Sequence, residues 1–166
     1  MTSDGGQRRT DTTRSADEES TDRFCADYAV DTDRLTLSAY AAAVDEGWTE
    51  CELLRAILHD LPRRFHALSP GGQAKVLADA PPLTESRWDA LLAATVEHIA
   101  ALHGHTPPAW VDEPARFLAE TWVVTDIHSM RMDAIAFAPA AFIRHGALPD
   151  PRDLDHRSGE HRAWVP

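Results

Sequence analysis

The strongest constraint on the fold is a long helical pattern of apolar residues between Glu85 and His103. Side chains of apolar or weakly polar character recur there at intervals of three and four residues, which places them on one face of an α-helix. They are Trp88, Leu91, Leu92, Thr95, Val96, Ile99 and Leu102. Asp89 and Glu97 fall on the opposite side. The pattern predicts an amphipathic helix of about five turns at the centre of the fold.

Two helices are predicted before this central helix. Apolar residues at helical spacing in residues 37–44 predict the first, and Gly47 is suited to end it in the left-handed conformation. Thr49 and Glu52 match a capping box, which predicts the start of the second helix. Pro62 is expected to end or kink that helix, because proline has no amide hydrogen and clashes with the preceding turn. Residues 63–68 are compatible with a continuation of the helix by another turn or two.

The remaining elements are predicted to be short. Residues 69–72, Ser-Pro-Gly-Gly, have the composition of a loop, and a short helix is expected around residues 73–79. After the central helix, residues 122–124 favour an extended segment. Ser129 is suited to cap a helix, and residues 139–146 predict a last one that ends at its glycine. Since no set of strands can build a sheet, the predicted fold class is all-α, with five to seven helices around the central one.

Composition divides the chain into three parts. Residues 1–34 are acidic and poor in apolar side chains, so they are expected to form a disordered arm. Residues 35–150 are long enough for one hydrophobic core and form the predicted helical domain. Residues 151–166 are expected to be a polar tail.

Charge and hydropathy exclude several classes of protein. The net charge of −11 argues against nucleic-acid binding, which needs a basic surface facing phosphates. No segment approaches the ~18 apolar residues of a membrane span, and residues 1–30 hold no stretch typical of a signal peptide. Cys25 and Cys51 are too few for a disulfide framework. A cytoplasmic protein that needs no cofactor is therefore predicted.

Two patterns leave other functions open. His98, His103 and His105 are metal-ligating residue types, which would suit a metal-dependent hydrolase. However, five residues along a helix turn the first two about 140° apart. Residues 39–61 have the spacing of a DNA-reading helix-turn-helix, but Glu50 and Glu52 occupy the start of its recognition helix and would repel phosphates. With no recognisable set of nucleophile, base and acid, a non-enzymatic protein is predicted.

Residues 107–149 are the best candidates for contact with another protein. Aromatic residues and arginine are enriched among the residues that dominate binding interfaces, and this segment contains both types. The predicted partner-binding residues are Trp110, Phe117, Trp122, Phe137, Phe142 and Arg144. Among them, Trp122 and Phe142 are expected to be accessible, because one lies in an extended stretch and the other precedes Arg144 and His145, which are expected to be exposed.

Four blocks of the sequence carry a resemblance to a known family. They are residues 80–83 (Ala-Pro-Pro-Leu), 87–94 (Arg-Trp-Asp-Ala-Leu-Leu-Ala-Ala), 108–118 and 131–146. Over residues 36–150 the chain resembles small actinobacterial helical proteins that are encoded beside nucleotidyltransferase-like toxins. That resemblance implies an antitoxin, which would bind and restrain a protein partner encoded by a neighbouring gene.

Overall fold

The structure is a computed structural model, and it describes residues 35–125 and 127–154. Within these ranges the chain forms six helices and two very short strands. The helices are α1 (Leu37–Asp45), α2 (residues 50–66), α3 (Pro70–Leu77), α4 (Arg87–Leu102), α5 (His128–Phe137) and α6 (Ala140–His145). The strands β1 (Trp122–Val123) and β2 (Ala147–Leu148) form a parallel pair. The predicted all-α class, built around one long helix, is confirmed, with this strand pair as an addition.

The central helix is α4, as predicted. Trp88, Leu91, Leu92, Val96 and Ile99 are all buried, and α4 packs most extensively against α6. Every side chain from residue 88 to residue 96 is buried, so the first half of α4 is enclosed on all sides. At the carboxyl end of α4 the buried stripe is shorter than predicted, because Leu102 is 58% exposed.

Asp89 does not lie on a solvent-facing side of α4, contrary to prediction. Its side chain is 2% exposed and closes a capping box with Ser86 at the start of the helix. Both carboxylate oxygens accept hydrogen bonds from the Thr84 amide, at 3.0 and 3.1 Å, and one accepts another from the Ser86 amide. A carboxylate at this position also interacts favourably with the positive end of the helix dipole.

The junction between α1 and α2 follows its sequence signals closely. Gly47 adopts φ +78°, and its amide bonds to the Val44 carbonyl while the next amide bonds to the Ala43 carbonyl. This pair of bonds is a Schellman ending, which favours glycine in the left-handed conformation. The predicted capping box of Thr49 and Glu52 opens α2. The boundaries of this helical hairpin are therefore confirmed.

Helix α2 continues past Pro62. It consists of an α segment (Glu50–Arg55), a π segment (Ala56–Asp60) and a second α segment (Leu61–His66). In the π segment the Leu61 amide bonds to the carbonyl of Ala56, five residues earlier. This wider turn directly before the proline carries the helix through a position that would otherwise break it. As a result Phe65, near the end of α2, is fully buried.

Two predicted boundaries are wrong. Residues 69–72 are not a loop, because Ser69 caps α3, its hydroxyl accepts a hydrogen bond from the Gly72 amide, and Pro70 occupies the first turn. Proline is well suited to that position since its missing amide hydrogen has no helical partner there. Ser129 does not cap α5, which begins one residue earlier without a side-chain cap.

The strand pair connects the end of α6 to the segment before α5. Trp122 is paired with Ala147 and Val123 with Leu148. Between α6 and β2, Gly146 adopts φ +77°, and a Cβ atom there would lie 3.2 Å from the Cβ of Leu118. Glycine thus ends α6, as predicted, and also permits this close approach of two chain segments.

The packed part of the chain extends beyond residue 150. Asp150 and Leu154 are buried, and a 3₁₀ turn (Pro151–Asp153) lies between them. The predicted acidic arm of residues 1–34 and the end of the predicted tail, residues 155–166, lie outside the described residues. Within the described ranges, no helix has the length and apolar character needed to cross a membrane.

Candidate functional site

Two of the six predicted partner-binding residues belong to the core. Phe142 is fully buried, so the prediction that it is accessible is wrong. The reason is that α6 lies along α4, which places the Phe142 ring 5.5 Å from the ring of His98. Trp110 is also buried, and its indole nitrogen donates a 3.0 Å hydrogen bond to the Leu77 carbonyl.

Trp122 is half-buried, and neighbouring side chains cover its ring. The ring of Trp88 meets it edge-on, with centroids 5.3 Å apart. The Arg87 guanidinium lies 4.1 Å from the Trp122 centroid, in cation–π contact, and donates a 2.8 Å hydrogen bond to Glu50. Trp122 therefore has part of the accessibility that was expected, although much of its surface is engaged within the fold.

Phe117 and Arg144 lie around a histidine that sequence reasoning placed on the surface. His145 is fully buried, so its predicted exposure is wrong. Its ring stacks on Phe117 at a centroid distance of 4.5 Å, and the Arg144 guanidinium lies 5.3 Å from the Phe117 ring. Arg144 is 41% exposed.

Glu97 is the centre of a polar network that joins α4 to α6, and we call this network the Glu97 clamp. Arg144 Nε lies 3.1 and 3.2 Å from the two carboxylate oxygens, and His145 Nε2 lies 2.9 Å from one of them. The other ring nitrogen, Nδ1, lies 2.7 Å from the Arg116 carbonyl, which can only accept, so Nδ1 carries a hydrogen. The clamp thus engages both imidazole nitrogens within the fold.

The Glu97 clamp extends to a 3₁₀ turn (Ala109–Asp112) that follows α4 in the chain. Arg144 Nη1 donates a 2.6 Å hydrogen bond to Asp112, in addition to its bonds with Glu97. These two hydrogen-bond partners, Glu97 first and Asp112 second, raise the pKa of the Arg144 guanidinium. Arg144 therefore holds three elements together, and a role in partner binding would compete with these contacts.

Most of the exposed large apolar side chains among the described residues lie between residues 127 and 143. Five large ones are between 53% and 69% exposed in this stretch, and we call them the 127–143 apolar surface. They are Ile127, Met132, Ile135, Phe137 and Ile143. Of the predicted site residues, Phe137 belongs to this surface. The other four were missed, although the apolar residues on both sides of α5 in the sequence were a signal that it cannot bury all of them.

A buried acid and an arginine hold the end of the described chain against α5. The carboxylate of Asp150 accepts three hydrogen bonds from Arg152: one from its amide, at 2.8 Å, and two from its guanidinium, at 2.9 and 2.7 Å. Arg152 Nη2 also donates a 2.8 Å bond to Asp133 on α5. The Arg152 side-chain bonds, more than any other cause, lower the pKa of Asp150.

The lowered pKa of Asp150 gives an expected acid dependence of stability. A carboxyl whose pKa is lower in the folded state stabilises the fold above its unfolded pKa, about 3.9 for aspartate. That contribution is lost as the pH falls through the folded pKa. We expect Asp150→Asn to lower the midpoint temperature of unfolding at about pH 7. Below about pH 4 the midpoint temperature of the variant should fall less steeply with pH than that of the wild type. Thermal unfolding across this pH range measures both.

The control for this prediction is Asp133→Asn, which changes the more exposed acid that binds the same arginine. It should leave the decline below about pH 4 intact. An Asp150→Asn protein with the same acid profile as the wild type would contradict the assignment.

A cleft lies between α2 and the segment that follows β1. Its volume is about 690 Å³, which is in the range of small-ligand sites, and Leu54, Leu58 and Val124 are its apolar lining residues. His59 and Asp153 lie on its rim. Burial, and secondarily the charge of Asp150, raise the pKa of Asp153, while His59 acts in the opposite direction. The structure therefore offers a concave surface lined by α2, the segment after β1 and Asp153.

The three histidines considered as metal ligands are divided between two places. His98 packs beside Phe142, whereas His103 and His105 lie on either side of the Gln73 amide, at 3.4 and 2.8 Å. Among the described residues, no group of three or more histidine, cysteine, aspartate or glutamate side chains is arranged to hold a metal ion. The geometry of these histidines gives no support to a metal-dependent hydrolase.

The comparisons with known proteins leave these surfaces as the basis for a functional argument. No protein-family model, no curated protein and no solved structure matches this chain at a significant level.

Proposed function

We propose that this protein is a non-catalytic protein-binding module that acts as an antitoxin-like inhibitor. Its partner would be an enzyme encoded by a neighbouring gene, such as a nucleotidyltransferase-type toxin. The observation that carries the proposal is the 127–143 apolar surface, with its five large side chains more than half exposed. The sequence resemblance over residues 36–150 supplies the kind of partner.

Exposed apolar side chains supply free energy for association when a partner covers them. Each Å² of apolar surface removed from water stabilises an assembly by roughly 25 cal/mol, so large exposed side chains gain when a partner covers them. Among the described residues, four of the seven exposed large apolar side chains lie on α5 and α6, while the first half of α4 is enclosed. A partner that covers α5 and α6 would bury them.

The charge of the chain supports the same kind of partner. An enzyme that works on nucleotides or nucleic acid needs basic residues in its cleft. A net charge of −11 favours approach to such a surface and speeds association at low ionic strength. The acidic residues 1–34 would add to this attraction.

The helix-turn-helix alternative is less well supported. Glu50, at the start of α2, is engaged by Arg87 in a 2.8 Å ion pair, and Glu52 caps the helix. These acidic side chains occupy the positions where a recognition helix would meet phosphates and bases. A DNA-reading role would require groups of the opposite charge there.

The proposal predicts that acidic substitutions on the 127–143 apolar surface weaken the complex. We expect Ile135→Asp to cost at least about 2 kcal/mol of binding, roughly a 30-fold rise in Kd, because a charge would have to be buried. The test is co-expression with the products of the adjacent genes, then calorimetry on the purified complex. A growth assay should show that co-expression relieves the toxicity of the partner.

The matched control is Leu83→Asp, which also replaces an exposed apolar residue by aspartate but lies outside the 127–143 stretch of the sequence. It should bind as the wild type does, and circular dichroism checks that both variants fold. Failure of every adjacent gene product to bind would reject the proposal. Sedimentation of the protein alone tests whether a second copy covers this surface. A homodimer that Ile135→Asp dissociates would show self-association and contradict the proposed partner.

A further inference from the structure

Helix α5 is held to the rest of the protein at few points. Ala134 is the one buried side chain among the ten described residues of α5. The helix packs on β1 and on the Pro151–Asp153 turn. Helix α4, by contrast, buries eleven of its sixteen side chains. Elements with few buried contacts are the ones that open locally at low free-energy cost, so the position of α5 depends on a small number of interactions.

The side of α5 turned away from Ala134 carries a stripe of exposed apolar side chains. Met132, Ile135 and Ala136 are exposed at spacings of three and four residues, so they lie together on one face. This is the pattern of a helix that inserts its side chains into a groove of another protein. We call these three residues the α5 stripe.

One edge of the α5 stripe carries an exposed arginine. Arg131 precedes Ile135 by one turn, is exposed, and forms no ion pair among the residues that the structure describes. Most other arginines in the described ranges do form ion pairs. They are Arg63, Arg64, Arg87, Arg116, Arg144 and Arg152. An exposed arginine that has no ion-pair partner among the described residues, and that lies beside an apolar stripe, favours an acidic group on the partner opposite it.

Arg152 is the main polar connection between α5 and the buried part of the protein. Its guanidinium makes two hydrogen bonds to the fully buried carboxylate of Asp150, and the same Nη2 reaches Asp133 at 2.8 Å. Because two bonds to Asp150 fix the plane of the guanidinium, the position of Asp133 and hence the rotation of α5 are constrained. Asp133 is on the side of α5 opposite to Ile135 by helical geometry.

We propose that α5 is a recognition helix, which a partner protein takes up in an apolar groove with an acidic rim, and that Arg152 is the residue that positions it. The inference rests on the proposed protein-binding function and specifies its mode. The α5 stripe fills the groove and Arg131 meets the acidic rim. Arg152 holds the helix from behind, so that the stripe is presented before the partner arrives.

The positioning role is tested on the free, full-length protein by hydrogen–deuterium exchange. Asp133→Ala removes only the connection to α5 and leaves Arg152 bound to Asp150. We expect the α5 amides to exchange on the order of tenfold faster, with α4 unchanged. Arg152→Ala should do the same, and Arg152→Lys should restore part of the protection, since lysine supplies the charge without the planar fork.

The matched control is Arg63→Ala, which breaks an exposed ion pair of the same 2.8 Å length within α2. It should leave α5 exchange unchanged. If Asp133→Ala also leaves α5 exchange unchanged, Arg152 does not position the helix. If Arg152→Ala fails to fold because Asp150 loses its partner, Asp133→Ala still decides the question.

The recognition role is tested on the complex with the neighbouring gene product. We expect Met132→Asp and Arg131→Glu each to raise Kd at least about tenfold, and Arg131→Lys to restore most of the affinity. Arg55→Glu is the control for Arg131→Glu, since Arg55 is an exposed arginine on α2 with no ion pair among the described residues. A complex that tolerates both α5 variants would reject the recognition helix and leave the protein-binding function standing, whereas the absence of any complex would reject both.

Discussion

Leu92→Ala is expected to lower the free energy of unfolding by about 2–5 kcal/mol. Leu92 lies in the enclosed half of α4 and is almost fully buried, between neighbours that are buried as well. Truncation removes three carbon atoms from a packed environment and leaves a cavity that the surrounding helices can fill only in part. Urea unfolding of the two proteins at the same pH measures the difference.

The control is Leu102→Ala, the same substitution ten residues later on the same helix. Leu102 is 58% exposed, so its truncation should change the free energy of unfolding by less than about 0.5 kcal/mol. A Leu92→Ala protein that is destabilised by no more than the control would mean that α4 is not the centre of the core.

The sequence was a good guide to helices that local signals define. The period of three and four residues from Trp88 to Ile99 identified α4, and the Thr49 capping box and Gly47 identified the α1–α2 junction. Each of these signals acts within one or two turns of the backbone. Local propensity and capping therefore place such elements before any tertiary contact is known.

Sequence signals that are compatible with two different backbone structures were less reliable. A proline usually ends a helix, but the π segment before Pro62 lets α2 continue, and the benefit is the burial of Phe65. Ser69 and Pro70 have the composition of a loop, but serine followed by proline also favours the start of a helix, which is what they form. The choice between such alternatives is made by tertiary packing, which one sequence window does not contain.

The candidate site depended even more on tertiary structure. Phe142 and Phe137 are both aromatic residues near the ends of short helices, yet one is fully buried and the other is 62% exposed. The difference arises because α6 packs along α4 while α5 does not. Burial of a single side chain follows from the placement of its helix, which short apolar patterns do not determine.

Stability and binding are thus assigned to different surfaces. The clamp of Glu97, Arg144 and His145 closes α6 onto α4, while α5 stands outside this closure and exposes Met132 and Ile135. Substitutions in the clamp should act on folding, and substitutions on α5 should act on binding. The two sets of variants can therefore be told apart by measuring both quantities for each.

Glu97→Ala is expected to have the largest effect in the clamp. It leaves His145 Nε2, on a fully buried ring, without its carboxylate neighbour, and it leaves Arg144 with Asp112 as its acidic partner. Loss of one partner in a buried polar network costs about 3–5 kcal/mol, and the partial exposure of Arg144 reduces this. We expect the free energy of unfolding to fall by about 2–3 kcal/mol in urea titration.

Two matched variants separate the causes of this effect. Asp112→Ala removes the other acid from Arg144, but Asp112 is 64% exposed, so the loss should stay below about 1 kcal/mol. Glu97→Gln keeps a side-chain amide within reach of His145 and removes the negative charge, so its cost should fall between the other two. If Glu97→Ala costs no more than Asp112→Ala, burial of His145 does not depend on the carboxylate, and α6 must be held to α4 by apolar packing alone.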